Sequence, residues 1–112
     1  MSYRVMKEYS IFREVENDIE TLNRHIAVIK VLLKEQPIGI IKLSQETGIP
    51  EHKIRYSLRI LEQENIISPS REGAILTPEF IDNKERIISD AKQMLEDIQK
   101  IYDDVKATFE KK

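Results

Sequence analysis

The chain has no cysteine and no tryptophan, only three glycines and four prolines, and no long apolar run. Each absence closes a class. Without cysteine there is no disulfide scaffold, no thiolate nucleophile and no Cys-ligated zinc. Apolar runs stop after a few residues, as at Val31-Leu32-Leu33, far short of the roughly 18 residues of a membrane span. Charges interrupt Met1 to Arg13 throughout, unlike a secretory signal. The expected compartment is therefore the cytoplasm, with no membrane partner. Three scattered glycines make no phosphate-cradling loop. No nucleophile stands beside a base, and no His, Asp and Glu set has ligand spacing. The sequence predicts no enzyme, no metal and no cofactor. An excess of positive charge is also missing: 18 basic residues face 20 acidic ones, for a net charge of −2. No third of the chain is basic, so any affinity for phosphate must come from local placement.

What the 112 residues do contain is apolar periodicity. Phe12, Val15, Ile19, Leu22, Ile26, Ile29 and Leu33 recur in steps of three and four, which predicts one long helix with a continuous seam. Pro37 and Gly39 end it. A short helix is predicted from Ile40 to Thr47, closed by Gly48 in the left-handed conformation, with Ile49 against the stop. Pro50 leads into a third helix over Glu51 to Glu64. Ile66-Ile67-Ser68 and Ala74-Ile75-Leu76-Thr77 are β-prone runs around Pro69-Ser70-Arg71-Glu72-Gly73, which predicts a small hairpin. Pro78 closes the hairpin. From about Ile81 to Glu110 helical spacing resumes at Ile87, Ala91, Met94, Ile98, Ile101 and Val105, flanked by Ile88, Leu95, Tyr102 and Phe109.

Within the third helix, at about 100° per residue, Leu58 and Leu61 fall within about 40° of Ile54 and define the buried side. The opposite side collects His52, Arg55, Tyr56, Arg59 and Gln63, with no carboxylate among them. Such a face can donate hydrogen bonds to phosphates and base edges, and arginine can bind guanine through two bonds. A solvated polar face is the plainer alternative, and Tyr56 could instead lie across the helix.

The stretch from Ile40 to Pro50, followed by Ile54, Leu58, Leu61 and Glu64-Asn65-Ile66-Ile67, resembles the core of winged helix-turn-helix transcriptional regulators. The MarR-like and PadR-like groups, and small archaeal regulators with a long C-terminal helix, are the nearest kinds. The resemblance covers roughly residues 24 to 80. Ser44 stands where the family usually has Ala, and Gly39 where Ser or Thr usually caps the helix. The resemblance implies a mainly α fold with a small β-hairpin wing, flanked by long N- and C-terminal helices. It divides the chain into an N-terminal extension over 1–23, a DNA-binding domain over 24–80 and a C-terminal helix over 81–112. It implies DNA contact by His52, Lys53, Arg55, Tyr56, Arg59 and Arg71. The N-terminal part of the recognition helix would read bases, Arg59 a phosphate, and Arg71 the duplex from the wing, with Glu72 offsetting part of its charge.

Both end helices carry more apolar surface than a lone chain of this size leaves in water. Phe12, Val15 and Ile19 reach beyond any core that residues 37–80 could build, as do Ile87, Ala91, Met94, Ile98, Ile101 and Val105. A homodimer through these residues is expected, and with it a palindromic operator. Packing of the two helices on each other within one chain is the alternative. The function expected is that of a dimeric sequence-specific regulator. An interaction module in a larger assembly, favoured by the acidic balance, and an architectural DNA coater remain open beside it. His25, next to Ile26, reads as a polar neighbour of the seam. No residue set identifies a small-molecule effector.

Overall fold

The computed structural model describes residues 10–110. Met1 to Tyr9, which belong to the expected 1–23 extension and to the segment unlike a secretory signal, lie outside the described residues. So do Lys111 and Lys112 at the end of the expected 81–112 helix. The described chain is mainly helical with one two-stranded antiparallel hairpin. In chain order it runs α1 (Arg13–Lys34), α2 (Ile40–Thr47), α3 (Glu51–Gln63), β1 (Ile67–Ser70), β2 (Gly73–Leu76), α4 (Pro78–Asp82) and α5 (Lys84–Phe109). It divides into two compact units, one up to Thr77 and one from Pro78.

In the first unit α1 begins with Glu14 and Glu16 in its first turn and ends with Lys34 in its last, charges that complement the helix dipole. Its buried residues are Val28, Ile29 and Leu32, so of the seam from Ile26 onward only Ile29 enters the core. Ile26 is 45% and Leu33 63% exposed. At about 100° per residue they fall roughly 140–160° from Val28, on the far side of the helix. Helix α1 thus has two apolar faces, a short one buried within the unit and a long one that is not.

Helix α2 buries Leu43 and stops at Gly48, whose φ of 74° is left-handed and whose N–H donates to the Ser44 carbonyl at 2.9 Å. Nothing stands within 4 Å of where a Cβ would be. Gly48→Ala is therefore expected to cost only the conformational penalty, about 1 kcal/mol, read as a lower midpoint of urea unfolding. The turn into α3 is braced by side chains. The Ser44 hydroxyl donates to the Ile49 carbonyl at 2.6 Å, and the Ile49 N–H donates to Thr47 Oγ1 at 3.2 Å.

Helix α3 buries Ile54 and Leu61 as predicted, leaves Leu58 half-buried, and buries Ser57 completely. A hydroxyl in such a place requires a partner, and His25 Nδ1 supplies it at 2.9 Å. His25 is thus a tie between α1 and α3 rather than a bystander to the seam. Burial, and then the Arg24 guanidinium, lower its pKa below the ordinary 6.5. The unfolded chain consequently takes up this proton before the folded one does, so stability falls as the pH drops from about 6.5 through the folded pKa. Urea midpoints at pH 7.5 and 5.5 should show that loss, and His25→Gln should reduce the difference between them.

The strands pair Ile67 with Leu76, Ser68 with Ile75, Pro69 with Ala74 and Ser70 with Gly73. Pro69, Ser70 and Gly73 therefore belong to the strands, and the turn shrinks from the predicted Pro69–Gly73 to Arg71-Glu72. Proline is accepted because Ala74 turns its N–H and C=O away to Ile38, at 2.9 and 3.3 Å. No rung of the hairpin needs the missing proton. Ile38 thereby pairs with β2 as an isolated bridge, and Gln36 Oε1 accepts the Leu76 N–H at 2.7 Å. Both contacts lock the segment after α1 to the hairpin.

In the second unit Pro78 does not merely close the hairpin. It opens the five-residue α4, at a first helical position that needs no N–H. The helical run predicted from Ile81 is broken after Asp82, and α5 starts at Lys84. None of its residues is buried, and of the predicted stripe only Val105 is as much as half-buried. Among the described residues no helix is long and apolar enough to cross a membrane.

Candidate nucleic-acid interface

Helix α3 turns Ile54, Ser57 and Leu61 into the first unit, and its charged residues face out. His52, Lys53, Arg55, Tyr56, Arg59 and Gln63 are all exposed, as is Arg71 in the hairpin turn. The Arg59 guanidinium lies over the Tyr56 ring, 5.9 Å from its centroid. One helical turn separates the two, and the contact holds both on the outward face.

Between α3 and the hairpin runs an open groove of about 640 Å³. Arg55 and Arg59 line it from the helix and Arg71 from the turn, while Leu58, Ile67 and Ala74 contribute apolar surface. Three of the six predicted contact residues are thus gathered in one concavity. His52, Lys53 and Tyr56 lie on exposed α3 surface but do not line it. Neither Arg55 nor Arg71 enters an ion pair among the described residues. Exposed guanidinium groups spaced along a groove suit the phosphates of an extended polyanion.

One residue of the groove, Glu62, escaped the reading of α3 as an acid-free face and lines it from α3, while Glu72, already expected to offset Arg71, lines it from the turn. The exclusion of carboxylates holds for the outward face, not for the side turned toward the hairpin. Glu62 lies about 80° round the helix from Ile54, between the buried and outward sides, and only the position of the hairpin makes it part of the groove. Its signal in the sequence was its place three residues after Arg59. The two carboxylates weaken the field of the arginines and favour shallow or register-dependent contact over indiscriminate attraction.

Among the described residues no group of three or more His, Asp or Glu could hold a metal ion. No protein-family model matches the chain, and no curated protein matches it.

Proposed function

We propose that this chain is a winged helix-turn-helix DNA-binding protein, a dimeric, sequence-specific transcriptional regulator without enzymatic activity that works in the cytoplasm. The observation that carries the reading is the convergence of Arg55 and Arg59 of α3 with Arg71 of the hairpin on one groove. In this reading α3 is the recognition helix and lies in the major groove of double-stranded DNA. His52, Arg55 and Tyr56, in its N-terminal half, face base edges, while Lys53 and Arg59 face phosphates. The hairpin is the wing, and Arg71 reaches the backbone or the minor groove beside it. Two copies related by a two-fold axis then read a palindromic operator whose half-sites lie about one helical turn apart, or a multiple of it.

The testing experiment is selection of bound sequences from a random duplex pool, followed by titration of the selected duplex at several salt concentrations. A palindrome whose affinity falls steeply with salt is the expected result. Equal affinity for all duplexes would instead make the protein an architectural coater.

A second reading has two observations of its own. The net charge of −2 and the presence of Glu62 and Glu72 in the groove favour a protein partner over DNA. Absence of salt-dependent duplex binding, together with co-purification of one stoichiometric protein, would establish that module in place of a regulator.

A further inference from the structure

The groove between α3 and the hairpin offers apolar surface that phosphates do not use. Along α3 it is lined by Arg55, Leu58, Arg59 and Glu62, spaced three and four residues apart and so on one face of the helix. Ile67, the segment Ile38 to Ile40 and the hairpin residues Pro69 to Ala74 line it as well. Leu58 and Ile40 are half-buried and Pro69 is exposed, which leaves part of their apolar surface open to a ligand. A phosphate is charged and hydrated and gains nothing there, whereas an alkyl chain gains with every methylene it buries. Among the described residues no aromatic side chain lines the groove, so no ring is in place to stack a flat ligand. The volume of about 640 Å³ falls within the ~300–1,000 Å³ of small-molecule sites.

The charges set the head group. Arg55, Arg59 and Arg71 line the groove against Glu62 and Glu72, three positive charges against two negative, for a formal sum of +1. That balance matches a monoanion. Arg59 already lies over the Tyr56 ring, while among the described residues neither Arg55 nor Arg71 enters an ion pair. A carboxylate accepts two parallel N–H bonds from one guanidinium group, which makes arginine its natural partner. Arg55 and Glu62 stand seven residues apart, about 10 Å along the axis of α3, with Leu58 between them. A carboxylate at Arg55 is therefore kept clear of the Glu62 charge while the chain it carries passes Leu58.

We propose that the groove binds a medium-chain aliphatic monocarboxylate, its head group on Arg55 and Arg71 and its chain on Leu58, Ile40 and Pro69, and that the bound anion displaces duplex DNA. The chain supplies most of the affinity, since an exposed ion pair adds little. Displacement follows because a guanidinium group cannot give the same donors to a ligand carboxylate and to a phosphate or base edge. The displacement rests on the DNA-binding reading of this groove, whereas the ligand site does not.

Sodium octanoate, sodium acetate and octylammonium chloride, each titrated into the isotope-labelled full chain at matched ionic strength and followed by amide NMR, separate the parts of this proposal. Octanoate should move the amides of Leu58, Arg71 and Gly73 saturably, at concentrations at least about tenfold below those of either other probe. Burial of about two methylenes already provides that factor. Acetate as tight as octanoate would reduce the site to an adventitious ion only and overturn it. Octylammonium as tight as octanoate would overturn the preference for an anion. Octanoate that moves chiefly the amides of α1 or α5, whose exposed apolar residues are the competing surface, would overturn the location, as would the absence of any saturable shift. Arg55→Gln and Arg71→Gln, both at exposed positions, should each weaken octanoate about two- to fivefold, and unchanged affinity in both would overturn the head-group assignment. At about ten times its dissociation constant, octanoate should weaken duplex binding about tenfold relative to equal acetate. Octanoate seated in the groove with duplex affinity unchanged would overturn the displacement. Octanoate seated there in a chain that binds no duplex would overturn the regulator and leave the ligand site.

Discussion

The double variant Arg55→Ala with Arg59→Ala is expected to bind its duplex at least about 30-fold more weakly than the unaltered chain. The two arginines stand one helical turn apart on α3, both exposed and both lining the groove. An arginine that meets a base edge through two bonds contributes about 1–3 kcal/mol, and every 1.4 kcal/mol is tenfold in affinity. The salt dependence separates their roles. A phosphate contact removed lowers the slope of log affinity against log salt by about 0.9, whereas loss of a base contact leaves that slope and flattens the preference at one base pair. Arg59→Ala should therefore reduce the slope by about one unit. Arg55→Ala should relax selectivity at one position of each half-site. Lys100→Ala, on exposed α5 outside the groove, should change neither. Unchanged affinity in the double variant would remove the groove from the function and with it the regulator.

Glu62 and Glu72 bear on the same measurement. They put negative charge beside the guanidinium groups, so Glu72→Gln should strengthen binding to any duplex by a few-fold while narrowing the gap between operator and random sequence. That pairing of effects is expected of a carboxylate that suppresses non-specific attraction. It connects the acidic balance of the chain with selectivity instead of setting it against DNA.

Periodicity revealed much of this molecule because its helices follow local rules. The bounds of α2 and the left-handed Gly48 follow from Ile40 to Gly48 alone, where the stop residue has no substitute of equal ease. The strands were less legible. Pro69 and Ser70 read as turn residues by type, and only the bridge from Ile38 to Ala74, spanning much of the unit, makes a proline rung harmless. Distance along the chain also hid the His25–Ser57 bond: the two lie 32 residues apart, and neither residue type announces a partner. The seam of α1 shows a third limit. Its strict repeat is conspicuous, yet the residues buried in the unit are Val28, Ile29 and Leu32, two of which stand outside it. A helix with two apolar faces displays two patterns, and the longer masks the shorter. At the site, residue type indicated Arg55, Arg59 and Arg71, but their convergence depends on where β1 and β2 stand beside α3, which no local spacing encodes.

Gly73→Ala is expected to be the most disruptive single-atom-scale change in the first unit, destabilising it by about 3 kcal/mol or more. Gly73 has a φ of +137°, a conformation open to glycine and rarely to other residues. A Cβ there would stand 2.4 Å from both the carbonyl carbon and the oxygen of Ile38, and 2.8 Å from the nitrogen of Gly39. All three atoms are backbone, so no side chain can rotate aside, and either the hairpin or the segment before α2 must move. Movement breaks the two hydrogen bonds between Ile38 and Ala74 and loosens the Leu76 N–H from Gln36. Gly39→Ala is the matched control: nothing lies within 4 Å of its added methyl group, and at a helix N-cap the change costs only a few tenths of a kcal/mol. Urea unfolding should separate the two variants by most of the predicted difference. The same substitution carries a functional consequence, because Arg71 is held two residues before Gly73 by the Ser70–Gly73 rung of the hairpin. A Gly73→Ala chain that still folds should therefore lose the Arg71 contribution to duplex binding, about one phosphate's worth of salt slope, while α3 keeps its own. Full duplex affinity and an unaltered slope in that variant would show that the hairpin takes no part in recognition.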